Sequence, residues 1–211
     1  MNITIAGGHG QIAMHLHPIL KSRGHQVRGI IRNPNHATDL QNAGAEPVVC
    51  DMEAEQDISD DVGSVDAVVF AAGAGPGSGA ERKWSLDRDG ALKLIEACRK
   101  NGIRRYVMIS AMKAEEPRGN EVFQQYLQAK SEADATLRES GLDYTIVRPG
   151  RLTDEEPNGT VAVGQDLPSG EIPRADVAAV IAEVLDLPAT IGHQFDLISG
   201  KEPIRQALKN L

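Results

Sequence analysis

The 211-residue sequence contains no apolar run long enough to span a bilayer. Its first residues also lack the flanks of a secretory signal. These absences argue against a membrane protein or an exported one and lead us to expect a cytoplasmic protein. Only two cysteines occur, Cys50 and Cys98, with no metal-ligand spacing, and both read as small core residues in a reducing setting. Excess positive charge is missing too. A formal net charge of −8 disfavours a broad nucleic-acid surface, although a local basic pocket is compatible with it. There is no solenoid-type repeat and no long low-complexity segment. What is present is ordinary for a globular chain, with 25% charged and 41% hydrophobic residues. A single domain over residues 1–211 can bury a sizeable core.

Short apolar runs alternate with longer helical patterns. Strands are expected at residues 3–6, 26–31, 46–50, 67–71, 105–109, 144–147 and 194–198. Helical patterns cover about 12–23, 34–43, 82–101, 120–140, 174–185 and 204–209. Runs such as AVVFAA and YVMIS suit strands buried on both faces, as in a parallel sheet. Repeated strand–helix units predict an α/β fold: a doubly wound, Rossmann-like parallel sheet in three α/β/α layers. Residues 151–171 break the alternation with a short TVAV strand between DEEPNG and DLPSGE, forming either a substrate-side lid or a surface excursion.

The stretch MNITIAGGHGQIA joins a β-branched strand to a helix through a glycine turn. Gly7 and Gly8 permit the tight turn, and Gly10 lets backbone approach a pyrophosphate. The helix beginning at Gln11 and Ile12 offers unpaired N–H groups to that anion. His9, inside the turn, either reaches phosphate or faces solvent. At the end of the second strand, where an acid would bind ribose hydroxyls and favour NAD, the sequence reads GIIRNP. Arg32 there suits a 2′-phosphate, so NADP is expected ahead of NAD; the alternative is a solvated arginine at a strand end. Asp51 and Met52 follow the third strand on the adenine side, with Asp51 alternatively capping the segment after it. Ala71, Ala72 and Gly73 end the fourth strand and open the Gly-rich run 73–80, read as a cofactor loop or as a flexible surface loop.

YLQAK puts Tyr126 and Lys130 four residues apart, on one face of a helix. Ser110 ends the strand VMIS at the carboxyl edge of the sheet, where open α/β sheets bind ligands. A nearby ammonium would lower the pKa of Tyr126, allowing it to act as general acid or base beside a nicotinamide. Lys130 would also contact the nicotinamide ribose, and Ser110 would orient a substrate carbonyl. The bland alternative is a packed helix with a snorkelling lysine.

IAGGHGQIA, GIIRNP, DAVVFAAGAG, RRYVMIS, YLQAKSEAD, LDYTIVRPGRL and IPRADVA, in this order, resemble the short-chain dehydrogenase/reductase superfamily. More narrowly, the chain is similar to its small atypical NAD(P)-binding members labelled NAD-dependent epimerase/dehydratase-like, over almost its whole length. The resemblance implies a tetrad of Asp87, Ser110, Tyr126 and Lys130, with the backbone near Pro149 approaching the nicotinamide. Ala13 stands at the last glycine position, and Ser110 precedes Tyr126 by 16 residues.

Arg148 reads as a buried ion-pair partner or a loop residue near the cofactor. His15 and His17, at i and i+2, face different sides of their helix, which argues against a metal. Trp84 lines a pocket or packs. Three functions follow. The first is an NADP-dependent oxidoreductase acting on a small carbonyl or alcohol. The second is an NADP-binding redox-sensing protein without turnover. The third, a sugar-nucleotide epimerase or dehydratase, lacks the chain length for a large substrate domain. The expected partner is a small-molecule substrate, and the protein is expected as a monomer or homodimer.

Overall fold

In a computed structural model, residues 1–75 and 77–211 are described; Pro76, within the Gly-rich run, lies outside the described residues. The elements run β1 (Asn2–Ala6), α1 (Gln11–Ser22), β2 (Gln26–Ile31), α2 (Ala37–Ala43), β3 (Glu46–Val49) and α3 (Ser59–Val62). They continue with β4 (Ala67–Phe70), α4 (Ala80–Arg82), α5 (Asp89–Asn101), β5 (Arg105–Ile109) and α6 (Glu121–Arg138). The last third comprises β6 (Asp143–Pro149), β7 (Arg151–Thr153), β8 (Thr160–Gly164), β9 (Glu171–Pro173), α7 (Arg174–Asp186), β10 (His193–Ser199), β11 (Glu202–Pro203) and α8 (Ile204–Lys209).

Among the described residues, nine strands form one sheet in the order β11-β8-β10-β6-β5-β4-β1-β2-β3. From β10 to β3 all neighbours are parallel. The order reverses between β4 and β1, the switch point of a Rossmann-like doubly wound sheet, and a crevice is expected outside the carboxyl ends of the strands there.

Strand periodicity sorts the core into two layers. Ala67 and Val69 of β4 join Ile3 and Ile5 under α1 and α7, whereas Val68 and Phe70 face α5 and α6 with Met108. Every residue of AVVF is therefore buried, which explains its unbroken apolar character. Phe70 is fully buried, and burial of such a side chain contributes roughly 2–3 kcal/mol. The turn after α5 is closed by Gly102, whose φ of +69° suits a residue without Cβ.

Two features differ from the sequence-based expectation. The 151–171 excursion does not stand apart from the sheet: β8 pairs antiparallel with β10, and β7 pairs with β9 in a small second sheet. The helical pattern expected over 82–101 is broken in kind, because Lys83–Arg88 is wound as a π-helix between α4 and α5. Such single wide turns recur at functional sites.

Both cysteines are buried, and burial pushes each thiol up to about 12, with the Asp61 carboxylate adding to the effect at Cys50. Native protein at pH 8 is therefore expected to show negligible reaction with a thiol-specific disulfide reagent, and two thiols per chain after denaturation. Rapid native labelling of Cys98 would mean that the layer beneath α5 opens readily.

Candidate functional site

The β1–α1 turn is shaped by close backbone approach. Gly7 adopts φ +80°, and a Cβ there would come within 2.6 Å of Ala72 Cα. A Cβ on Gly8 would lie 2.7 Å from Gly29 Cα, so β1 and β2 nearly touch behind the turn. Gly8 N–H donates to the Ile30 carbonyl at 2.8 Å, and its own carbonyl accepts from His17 Nε2 at 2.7 Å. Burial lowers the His17 pKa, so the ring is neutral with its proton on Nε2. His17 is thus an internal strut for the turn, a role its sequence context did not disclose.

A cleft of about 400 Å³ opens beside this turn. Of the residues expected around a cofactor, Gly7, His9, Gly10, Arg32, Asp51, Met52, Ala71, Ala72 and Gly73 line it. Gly8 lies buried behind the turn, and Gln11 and Ile12 form the first turn of α1. The Asp51 carboxylate accepts from the Glu53 N–H at 3.0 Å and so closes a local turn, in a segment that is not the helix its capping alternative assumed. The His9 and His36 rings stack at 3.7 Å, with His9 against Asp39. Missed by the sequence reading were Arg82 and Glu53: the Glu53 carboxylate accepts from Arg82 at 2.7 Å, Arg32 at 3.1 Å and Ser85 at 2.6 Å. These donors, Arg82 foremost, hold the Glu53 carboxyl below the usual range. The glycine cradle, the free N-terminus of α1 and the two guanidinium groups fit a dinucleotide phosphate.

Further along the same sheet edge, Asp87 and Lys130 form a buried ion pair at 3.2 Å. The π-helical turn brings Asp87 beneath the loop after β4, where its carboxylate accepts from the Ala74 N–H at 3.2 Å. A Cβ on Gly73 would lie 3.3 Å from Asp87, so the cleft and the ion pair are neighbours. Lys130 also donates to the Ile109 carbonyl and sits 5.9 Å from the centre of the Tyr126 ring. Burial opposes the charge on Lys130, yet Asp87 and Tyr126 raise its pKa overall. Tyr126 is half-buried, stacked on Phe123, with Lys83 5.3 Å from its ring centre. Its pKa is raised: burial outweighs the lowering by Lys130, contrary to the net lowering that the i, i+4 spacing suggested.

Ser110 is oriented differently from the other three. Its hydroxyl donates to Asp134 at 2.8 Å, and Asp134 is clamped by Arg148 through Nε at 2.9 Å and Nη2 at 2.7 Å. Arg148 extends to Glu115 and so is a buried ion-pair partner. Asp134 continues the face of α6 that carries Tyr126 and Lys130, at i+4 and i+8. Pro149, buried at the end of β6, accepts through its carbonyl from the Met112 N–H. Trp84 packs under Arg88 and donates to Gln125.

A family model described as NAD(P)H-binding matches residues 7–188. The chain belongs to the NAD(P)H-binding family. YhfK of Bacillus subtilis, named an uncharacterized sugar epimerase, is 38% identical over the whole of both chains. Among solved structures, a Bacillus halodurans protein described as a candidate NAD-dependent epimerase/dehydratase is 40% identical, with a TM-score of 0.94 over all of both chains. The Lactococcus lactis oxidoreductase ylbE is 27% identical with a TM-score of 0.89, covering all of this chain and 96% of its own. Family membership implies a nicotinamide cofactor. Among the described residues no helix is long and apolar enough to cross a membrane.

Removing Asp134 strands the buried Arg148 guanidinium with only the half-exposed Glu115. Asp134→Ala is expected to cost about 3 kcal/mol in urea unfolding, and a loss below about 1 kcal/mol would show that the pair contributes little.

Proposed function

We propose that this protein is an NADP-dependent oxidoreductase moving hydride to or from a small carbonyl or alcohol, with Tyr126 transferring the proton. The buried Asp87–Lys130 pair, one helical turn beyond Tyr126 and beside the glycine cleft, is the observation that carries this reading. The nicotinamide, when bound, supplies the hydride chemistry. The glycine turn and the first turn of α1 would hold its pyrophosphate, Arg32 its adenosine 2′-phosphate, and Asp51 and Met52 its adenine side. Preference for NADP rests on Arg32, because the end of β2 carries a guanidinium and no acid. Lys130, fixed by Asp87, would contact the nicotinamide ribose. Burial raises the Tyr126 pKa, so the side chain holds its proton at neutral pH, the form from which it would donate to a developing alkoxide.

The chain after β6 is spent on β7 to β11, α7 and α8. These elements complete the two sheets and the helices packed on them rather than forming a separate lobe, which supports a small acceptor. Two buried free thiols suit a reducing compartment such as the cytoplasm. One observation favours a second reading, an NADP-binding sensor without turnover: the Ser110 hydroxyl is committed to Asp134 rather than free for a substrate.

Purified protein with NADPH and a panel of small aldehydes and ketones is expected to turn over at least one member. Tyr126→Phe is expected to lower kcat about 10²- to 10⁴-fold while retaining NADPH binding. Undiminished turnover would remove the proton-donor role, and tight NADPH binding with no turnover on the panel selects the sensor. Arg32→Ala is expected to weaken NADPH about tenfold and leave NADH nearly unchanged, as measured by fluorescence titration. Equal loss for both cofactors would overturn the NADP assignment.

A further inference from the structure

Glu53 occupies an unusual position for an acid: it sits in the cofactor cleft and engages both guanidinium groups there. Its two carboxylate oxygens accept from Arg82 Nε at 3.2 and 3.1 Å and from Arg82 Nη2 at 2.7 Å, while Arg32 Nη1 reaches one of them at 3.1 Å. Ser85 adds a hydrogen bond at 2.6 Å. The loop is anchored from behind, because Lys93 of α5 donates to the backbone carbonyls of Met52, Glu53 and Glu55. Arg32, Glu53 and Arg82 all line the one cleft.

Two planar forks converging on one carboxylate is also the arrangement that binds a phosphomonoester. We propose that Glu53 is an internal stand-in for the 2′-phosphate of the cofactor, and that Arg82 is a second phosphate-binding side chain beside Arg32. This rests on the NADP reading above and adds to it the residue that sets the degree of preference. A phosphorylated adenosine draws Arg32 and Arg82 from Glu53 onto phosphate oxygens, leaving a carboxylate close to a dianion. An adenosine without that phosphate leaves the Glu53 pairs intact. Glu53 therefore penalises only the phosphorylated ligand, a repulsive element of specificity. Removing its charge sharpens the preference for NADP, and removing Arg82 blunts it.

Calorimetric titration with 2′,5′-ADP and 5′-AMP at fixed ionic strength tests this without turnover. In Glu53→Gln the Kd for 2′,5′-ADP is expected to fall about fivefold, the scale of a partly exposed ion pair, with 5′-AMP changing less than about twofold. In Arg82→Gln the Kd for 2′,5′-ADP is expected to rise by at least as much, again with little change for 5′-AMP. Equal shifts for both ligands would show that these side chains only build the cleft. Selective weakening of 2′,5′-ADP by Glu53→Gln would show that the carboxylate aims the arginines instead of competing for them; either outcome overturns the proposal. The wild-type ratio of the two affinities tests the NADP reading, whereas the change in that ratio tests Glu53, so the two fail separately. Should Glu53→Gln not fold, Arg82→Gln, at a half-exposed helical position, carries the test alone.

Discussion

Close approach of three backbones at the carboxyl end of β1 is the constraint on which the molecule depends. Gly7 abuts Ala72 at the end of β4, and Gly8 abuts Gly29 of β2, leaving no room for a Cβ at either contact. Gly29 is itself overlaid by Leu40 from α2. The switch point of the sheet is thus pinched shut beneath the turn and open above it. His17 completes the arrangement by fixing the Gly8 carbonyl from within α1. The cleft-facing surface of the turn is made of main chain, and its shape is set by packing behind it rather than by side chains within it.

Charge is buried along one face of α6 in two adjoining groups. Asp87 and Lys130 neutralise each other near the cleft, and Ser110, Asp134 and Arg148 form a second cluster closer to β6. The ions of these two groups are paired with one another, and Asp87, Lys130, Asp134 and Arg148 each make a further hydrogen bond. Tyr126 lies at the margin of the first group, where burial and Lys130 pull its proton affinity in opposite directions. The Arg32–Glu53–Arg82 cluster has a different character, with guanidinium groups partly in solvent and screened by it.

Much of the framework was legible in the sequence because its causes are local. The glycine turn, the two-faced burial of AVVF and the i, i+4 spacing of Tyr126 and Lys130 each follow from neighbours in the chain. The partners of those residues were not legible. Ser110 meets Asp134 only because β5 runs beside α6, and Glu53 meets Arg82 at a sequence separation of 29. The sequence showed an ammonium near Tyr126 but not the desolvation that outweighs it. Likewise, β8 was visible as a short strand, while its place against β10 depends on how the chain returns after β9.

The π-helical turn at Lys83–Arg88 separates two tasks that a regular helix would couple. In an α-helix each residue advances the direction of the side chain by about 100°. Losing one residue from the wide turn would swing Asp87 away from Lys130 and leave the buried stripe of α5, with Leu94, Ile95 and Cys98, in register with the sheet. The Asp87–Lys130 pair and the core can therefore drift independently during evolution. A single deletion there would part this pair while retaining both the fold and the glycine-lined cleft.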